Sequence, residues 1–497
     1  MLTFFEAHPP ALVVFVLMVA FAMPGVAHFR RSLCGPFACI AMAAALTGSM
    51  HFAQLALDGR SISYAAGGWE APWGIEVLIN PFSAFMLVVI SSVSLLILLY
   101  GTSSLETEVP ERGIGWYYTI FMLLVASMMG MAITNDLFNM YVFIEVTGIS
   151  ACALVLAKGT RLSTEAAFKY LLLATVGSGF VLFGIALLYL VTGNLNITFV
   201  ANEFRTVYMQ YPYLIWTILS FFLVGFGIKS ALFPLHVWLP DAHSSAPTSS
   251  SAVLSGLVVK AYIVALIKFY FLVFGFEMLD HIFIRHMILL MASAAMIGGS
   301  MFAFVQLNLK RRLAYSSVAQ IGYIFLGIGL GSVAGLTAGI LHIFNHAVMK
   351  TCLFLAAGAI YRQTGETQVN HLKGLAYQMP LTVGAFTVAA LSMIGLPLFN
   401  GFISKWYLAV GSIHAGMPMF VGLIIISGLL NASYFLPIVW QAFFVESNNQ
   451  PRTFVMDKIP KTMSVALVAL VAMIVYFGIF PGFPLSLAEK AVILFLP

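Results

Sequence analysis

The sequence predicts an all-α integral membrane protein of about fourteen transmembrane helices, on three observations. Hydrophobic residues make up 61% of the chain and charged residues 8%, with a mean hydropathy of +1.00. Soluble domains carry about 25% charged residues, so this chain cannot cover a water-facing surface. Apolar runs of about 20 residues, the length that crosses a bilayer, recur from end to end. The cations between them sort to alternate sides. A length of 497 residues would otherwise suggest about three soluble domains.

The apolar runs fall at 10–28, 33–56, 80–101, 115–134, 137–157, 166–192, 214–238, 246–275, 284–307, 314–332, 334–361, 380–412, 418–444 and 464–488. The first has no basic segment before it and no cleavage pattern, so it is expected to stay as a helix. Residues 58–79 are too polar to span. Asp58, Arg60, Glu70 and Glu76 with Trp69 and Trp73 suit an interfacial loop or short hairpin. Placing the N-terminus outside puts fourteen cations on the inner side: Arg30, Arg31, Arg112, Lys158, Arg161, Lys169, Lys310, Arg311, Arg312, Arg362, Lys373, Arg452, Lys458 and Lys461. Only Arg60, Arg205, Arg285 and Lys490 fall outside. The positive-inside rule therefore supports an even span count with both termini on the outer (periplasmic) side of a cell membrane.

Composition excludes other classes. Twenty-three Lys+Arg spread this thinly form no phosphate-binding face, so no nucleic-acid partner is expected. Cys34, Cys39, Cys152 and Cys352 form no CxxC pair and lie at no metal-ligand spacing from His. No metal site, iron–sulfur centre or other cofactor is expected.

Five cations remain inside the spans: Lys229, Lys260, Lys268, Lys350 and Lys405, with Glu145 the one acid well inside a span. Each costs about 2.5–3.5 kcal/mol at mid-bilayer on insertion scales, which makes such residues functional candidates. Lys229 precedes Pro234 in GFGIKSALFPLHVWLPDAH, where proline should break the seventh span near Ala231–Leu235. In GLPLFNGFISKWYL, Gly395, Pro397 and Gly401 break the twelfth span and Lys405 follows. Broken helices are tolerated where they line a polar cavity. Two of them five spans apart fit inverted repeats. The expected division is 1–110, a three-helix segment; 111–277 and 278–445, the two repeats; and 446–497, a last helix.

Lys260 follows the small residues Ser249, Ser250, Ser251, Ala252, Ser255 and Gly256, which let helices approach closely. Lys268 lies near a span end, as an uptake- or release-side residue or as a cation snorkelling to the interface. His342, His346 and Lys350 are spaced i, i+4, i+8 and share one helix face. Two His at i, i+4 can bind zinc, but no third ligand is evident and Lys350 would repel a dication, so a proton relay fits better. His342 could instead simply bond a backbone carbonyl. A lone carboxylate in a membrane neutralises unless paired, and Lys229 is the expected partner of Glu145. Asp136 is placed at the outer mouth of the fifth span, or is only a helix cap.

These motifs resemble the antiporter-like subunits of complex I (NADH-quinone oxidoreductase subunits L, M and N) and the Mrp-type cation/proton antiporters, over roughly residues 75–445. The resemblance rests on the Glu145 helix, PLHVWLPDAH after Lys229, APTSSSAVLSGLVVK ending in Lys260, NLKRRLAYSSVAQIGY (308–323), HAVMKTCLFLAAG (346–358) and GLPLFNGFISKWYL. It implies fourteen helices with two inverted five-helix repeats, broken helices seven and twelve, and a hydrated mid-membrane proton path. That role passes to Glu145, Lys229, Lys260, His342, His346, Lys350 and Lys405. Lys405 leans toward the D-type subunit of the Mrp antiporters or the N and L subunits of complex I over subunit M, and the chain's length resembles the Mrp D-type subunit most. A quinone-oxidoreductase or membrane-bound hydrogenase antenna subunit is the alternative. Either implies ion transport beside other membrane subunits, with no redox centre in this chain. Protons are the expected cargo, with any Na+ or K+ crossing elsewhere. A stand-alone transporter lacks support, since no substrate-specific midplane groups are found. A membrane transferase would show interfacial acidic or His motifs, and the inner loops show none.

Overall fold

The computed structural model describes residues 2–276, 282–445 and 455–496, apart from the side chains of Arg205 and Ile282. Arg452 and the proposed boundary at 277/278 lie outside the described residues.

The chain opens with α1 (Leu2–Ala7), α2 (Pro10–Phe29) and α3 (Cys34–Leu57). The polar stretch that follows pairs β1 (Ile62–Ala65) with β2 (Glu76–Ile79) in an antiparallel hairpin, Ile62 opposite Ile79. Next come α4 (Pro81–Glu108), α5 (Ile114–Ile133), α6 (Leu137–Leu156), α7 (Arg161–Thr192), α8 (Ile197–Gln210) and α9 (Pro212–Lys229). After the first break lie α10 (Trp238–Ser245), α11 (Thr248–Val253) and α12 (Val259–Ile267). Two π-helical segments, Leu254–Val258 and Lys268–Val273, make residues 248–273 one continuous span with α11 and α12. The second half holds α13 (Ile282–Val305), α14 (Leu309–Gly329), α15 (Val333–Thr364), α16 (Leu375–Gln378), α17 (Pro380–Ile394), α18 (Asn400–His414), α19 (Met419–Phe444), α20 (Lys461–Ile479) and α21 (Gly482–Ile493).

Among the described residues, twelve helices are long and apolar enough to cross a membrane. Two further predicted runs are present but fall outside that group. α14 carries Lys310, Arg311 and Arg312 in its first turn, followed by Ser316, Ser317 and Gln320. α17 and α18 are 15 residues each, because the break divides the run. The run predicted at 464–488 is not one helix: α20 stops at Ile479, and Pro481, which has no N–H to extend it, precedes α21. α21 turns back on α3 and α4, where the Lys490 ammonium donates to the Leu57 carbonyl that ends α3. α8 is a short amphipathic helix with no counterpart among the predicted runs.

The span 248–273 and α15 are almost wholly enclosed by other helices. They form the interior against which the two halves pack, and they carry Lys260, Lys268 and the His342–Lys350 face.

The halves repeat each other in backbone detail that the side chains hide. The Asp136 carboxylate caps α6 by accepting from the Asn139 N–H at 2.7 Å, and Asn308 caps α14 by accepting from the Arg311 N–H at 3.0 Å. Asp136 bridges to Asn196 just past α7, and Asn308 bridges to Gln368 just past α15. α7 and α15 are 32 residues each, and both end on a left-handed glycine, Gly193 and Gly365. α9 and α17 each start with proline after a residue in nearly the same conformation, φ −131° at Tyr211 and −137° at Met379. Five spans separate the members of each pair. An odd offset puts them on opposite faces, so the repeats are inverted.

Candidate functional site

α9 ends at Lys229, and Ser230–Val237 run non-helically through Pro234 to α10. The break leaves carbonyls at the end of α9 without helical partners. These are met locally: the Leu232 N–H donates to Gly227 O at 2.8 Å, and the Trp238 indole donates to Ile228 O at 2.8 Å. Lys229 is therefore not needed as a cap. Its side chain is 1% exposed and its Nζ lies 3.5 Å from Glu145 Oε1 and 5.4 Å from the centre of the Tyr262 ring. The predicted Glu145–Lys229 pair is thus formed. Gly148 makes room for it, since a Cβ there would sit 3.3 Å from Lys229 Nζ. The Glu145 side chain is 32% exposed. It is deep along its span but at the rim of the chain, so this subunit alone does not enclose it.

At the second break the lysine does the capping. α17 ends at Ile394, Gly395 turns at φ +98°, and Pro397 lies in the non-helical link to α18. Lys405 reaches back from α18, and its Nζ donates to Met393 O at 2.6 Å and Ile394 O at 3.1 Å. The ammonium also sits 4.6 Å from the centre of the Tyr323 ring. A helix C-terminus carries partial negative charge, so it favours this cation without a carboxylate.

Between the breaks lie Lys260 and Lys350, both fully buried. The π-helical turn before Lys260 leaves the Ser255 carbonyl to accept from its ammonium. Ser255 Oγ is 2.8 Å from Ser317 Oγ on α14. Lys350 donates to Leu313 O at 2.7 Å and to the Ser316 hydroxyl. His342 places Nδ1 2.8 Å from Ser404 Oγ and Nε2 3.0 Å from Gln320 Oε1, so it bonds side chains rather than a backbone carbonyl. The His346 ring stacks parallel to it at 5.8 Å, with no hydrogen-bond partner on either nitrogen. His346 lies within electrostatic reach of Lys260, Lys350 and Lys405.

Two outlying residues act as helix caps. Lys268 is 2% exposed and donates to Ala132 O at 2.6 Å and Thr134 O at 2.8 Å, the orphan carbonyls ending α5. It does not snorkel to the interface, because those carbonyls hold it inside. Asp136 is the cap of α6, and burial holds its carboxyl above the usual range against the N–H groups of Asn139 and Phe138.

Sequence reasoning missed the wall opposite the lysines. Ser316, Ser317 and Gln320 supply it, and together with Lys310, Arg311 and Arg312 they keep α14 out of the apolar group. It also missed the pairing of the buried Glu108 with Lys310, at 3.9 Å, and the buried His243. Acids and cations at helix ends look ordinary in a sequence. Among the described residues, Lys229 alone of the five intramembrane lysines has a carboxylate within 4.0 Å. The others are held by neutral carbonyls and hydroxyls, an arrangement in which a lysine can lose and regain a proton without breaking an ion pair.

Residues 134–431 match the family described as NADH:quinone oxidoreductase/Mrp antiporter, transmembrane. The chain belongs to this family. It is 40% identical over 444 residues to NADH-quinone oxidoreductase subunit N of Desulforudis audaxviator, covering 88% of this chain and 87% of that one. It is 30% identical over 414 residues to the D-type subunit of the Na+/H+ antiporter of Alkalihalophilus pseudofirmus, covering 83% and 82%. A chain of the membrane-bound sulfane sulfur reductase, an archaeal respiratory membrane complex, superposes with a TM-score of 0.89 at 31% identity, over 98% of this chain and 97% of that one.

Proposed function

We propose that this chain is the proton-translocating membrane subunit of a multisubunit Mrp-type cation/proton antiporter. Protons move along Glu145, Lys229, Lys260, His346, Lys350, His342 and Lys405. Lys268 and Asp136 serve as caps at the path's margins, and the repeats occupy 111–277 and 278–445. The chain lies in the cell membrane with both termini outside, and Na+ or K+ crosses through other subunits.

The observation that carries this reading is the file of buried lysines and histidines between two broken helices. One end is an ion pair at the rim and the other is a lysine on a helix C-terminus. Membrane burial of so many titratable groups is costly, and proton transfer is the chemistry they share. Co-purified with its partners and reconstituted in vesicles, the chain should support proton movement driven by a Na+ or K+ gradient. A complete assembly that moves no protons would refute the reading.

The NADH-quinone oxidoreductase relative and the archaeal respiratory complex favour a second reading, in which the same path serves as a proton-pumping antenna of a quinone- or sulfur-linked complex. The identity of the co-purified subunits separates the two.

A further inference from the structure

A cleft with about 90 Å3 of water-accessible space opens on the cation-rich face, lined by Lys158, Ser244, Lys310, Tyr361 and Glu366 among others. Lys310 leads inward. Its Nζ donates to Ala246 O at 3.3 Å and lies 3.9 Å from the buried Glu108 carboxylate. Glu108 accepts the Thr248 N–H at 2.7 Å, at the first residue of α11. α10 runs beside this pair. Its Asp241 is held by Lys169 at 3.4 Å and Arg311 at 3.1 Å. His243, two residues on, is fully buried and has no hydrogen-bond partner on either ring nitrogen.

The His243 ring stacks on Phe354 at 5.1 Å, and the Lys350 ammonium is 5.9 Å from the centre of that same ring. The charged groups facing the imidazole are Lys350 on α15, Lys260 on α12 and Lys310 on α14. Neither ring nitrogen makes a hydrogen bond of good geometry, and the Ser251 backbone is the one neutral polar group that acts on the ring. An unsatisfied buried polar atom is destabilising, whereas a bridging water meets such groups at little cost. A phenyl ring would stack on Phe354 without that cost.

We propose that His243 is a proton-carrying residue that joins the cation-rich cleft, by way of Lys310 and Glu108, to the Lys260–Lys350 centre. This rests on the proton-translocating reading above. A proton arriving through water binds one ring nitrogen, and the proton on the other nitrogen passes to the free amine of Lys350 or Lys260. One proton is gained and one released, and the second tautomer returns by exchange with the same waters.

The test uses the assembled complex in vesicles. His243→Gln should slow proton transport about tenfold or more, the scale expected for losing a positioned proton carrier. His243→Gly should be equally slow, and imidazole added on the cation-rich side should restore part of its rate. A His243→Gln complex running at the parent rate would overturn the inference, as would an assembled His243→Gly complex that imidazole leaves unchanged. Should the His243 variants not assemble, Ser244→Cys leaves the ring intact. A bulky membrane-impermeant thiol reagent should then slow transport several-fold relative to the equally treated parent, and no slowing would overturn the inference. A parent complex that moves no protons is a separate outcome, which refutes the function and not this route.

Discussion

Replacing Lys405 separates its two jobs. Its ammonium caps α17 through two charge-assisted hydrogen bonds, at 2.6 and 3.1 Å, each worth about 1.5–3 kcal/mol. Deleting it therefore removes about 3–6 kcal/mol. The same deletion relieves the burial of an ammonium, an effective penalty of several kcal/mol per ion. The terms nearly cancel, so Lys405→Ala should still assemble. Lys405→Arg keeps a cationic cap on the same carbonyls but cannot release a proton. A purely structural Lys405 predicts loss in Lys405→Ala and normal transport in Lys405→Arg. A proton-carrying Lys405 predicts that both lose transport while both assemble. Fluorescence quenching of a pH-sensitive dye in everted vesicles measures the rate, and blotting of the intact complex measures assembly. Parent-level transport in a fully assembled Lys405→Arg complex would refute the reasoning.

Other perturbations follow from the same geometry. Gly148→Val adds a branched side chain where even a Cβ lies 3.3 Å from Lys229 Nζ; it should push the ammonium off Glu145 and cut transport without altering any charge, and an unchanged rate would show that the contact is not needed. His346→Ala should slow transport more than Gln320→Ala, because Gln320 only orients His342 while His346 is free to relay, and equal rates in a vesicle assay would make His346 a packing residue. Glu76 is partly buried, which raises its carboxyl. Hydrogen bonds from Ser63, Asn196 and Asn135 outweigh this and hold it below the usual range. Its contribution to the hairpin is thus present above the ordinary carboxylate pKa and lost as pH falls through the lowered value. Amides of β1 and β2 should exchange faster in Glu76→Gln than in the parent at neutral pH, and the difference should vanish in acid.

Much of this site was legible because lipid makes polar residues conspicuous. Lys229, Lys260, Lys350, Lys405 and Glu145 stood out in apolar runs, and Pro234 and Pro397 marked both breaks. The Glu145–Lys229 pair followed from the cost of leaving either charge alone. What a chain does with its backbone was not legible. Lys268 and Lys405 cap helix ends, which depends on carbonyls over 130 and about a dozen residues away, from Thr134 and Met393. The inverted repeat rests on paired bridges, Asp136 to Asn196 and Asn308 to Gln368, whose residues barely resemble each other. The exposure of Glu145 depends on which helices pack beside α6. The split at Pro481 was overlooked because apolar residues continue on both sides of it.

We propose that Glu145 and Lys229 act as one proton gate. This is tested most directly by the rate at which a hydrophobic carbodiimide, which attacks protonated carboxyls, labels Glu145 in the assembled complex. The two side chains lie 3.5 Å apart, and removing Lys229 leaves the carboxyl without its counter-charge, which is costly in the membrane. Labelling should therefore be faster in Lys229→Ala than in the parent, and transport should be lost in Lys229→Ala, in Glu145→Gln and no more severely in the double variant. Equal labelling of Glu145 in Lys229→Ala and the parent would contradict the account.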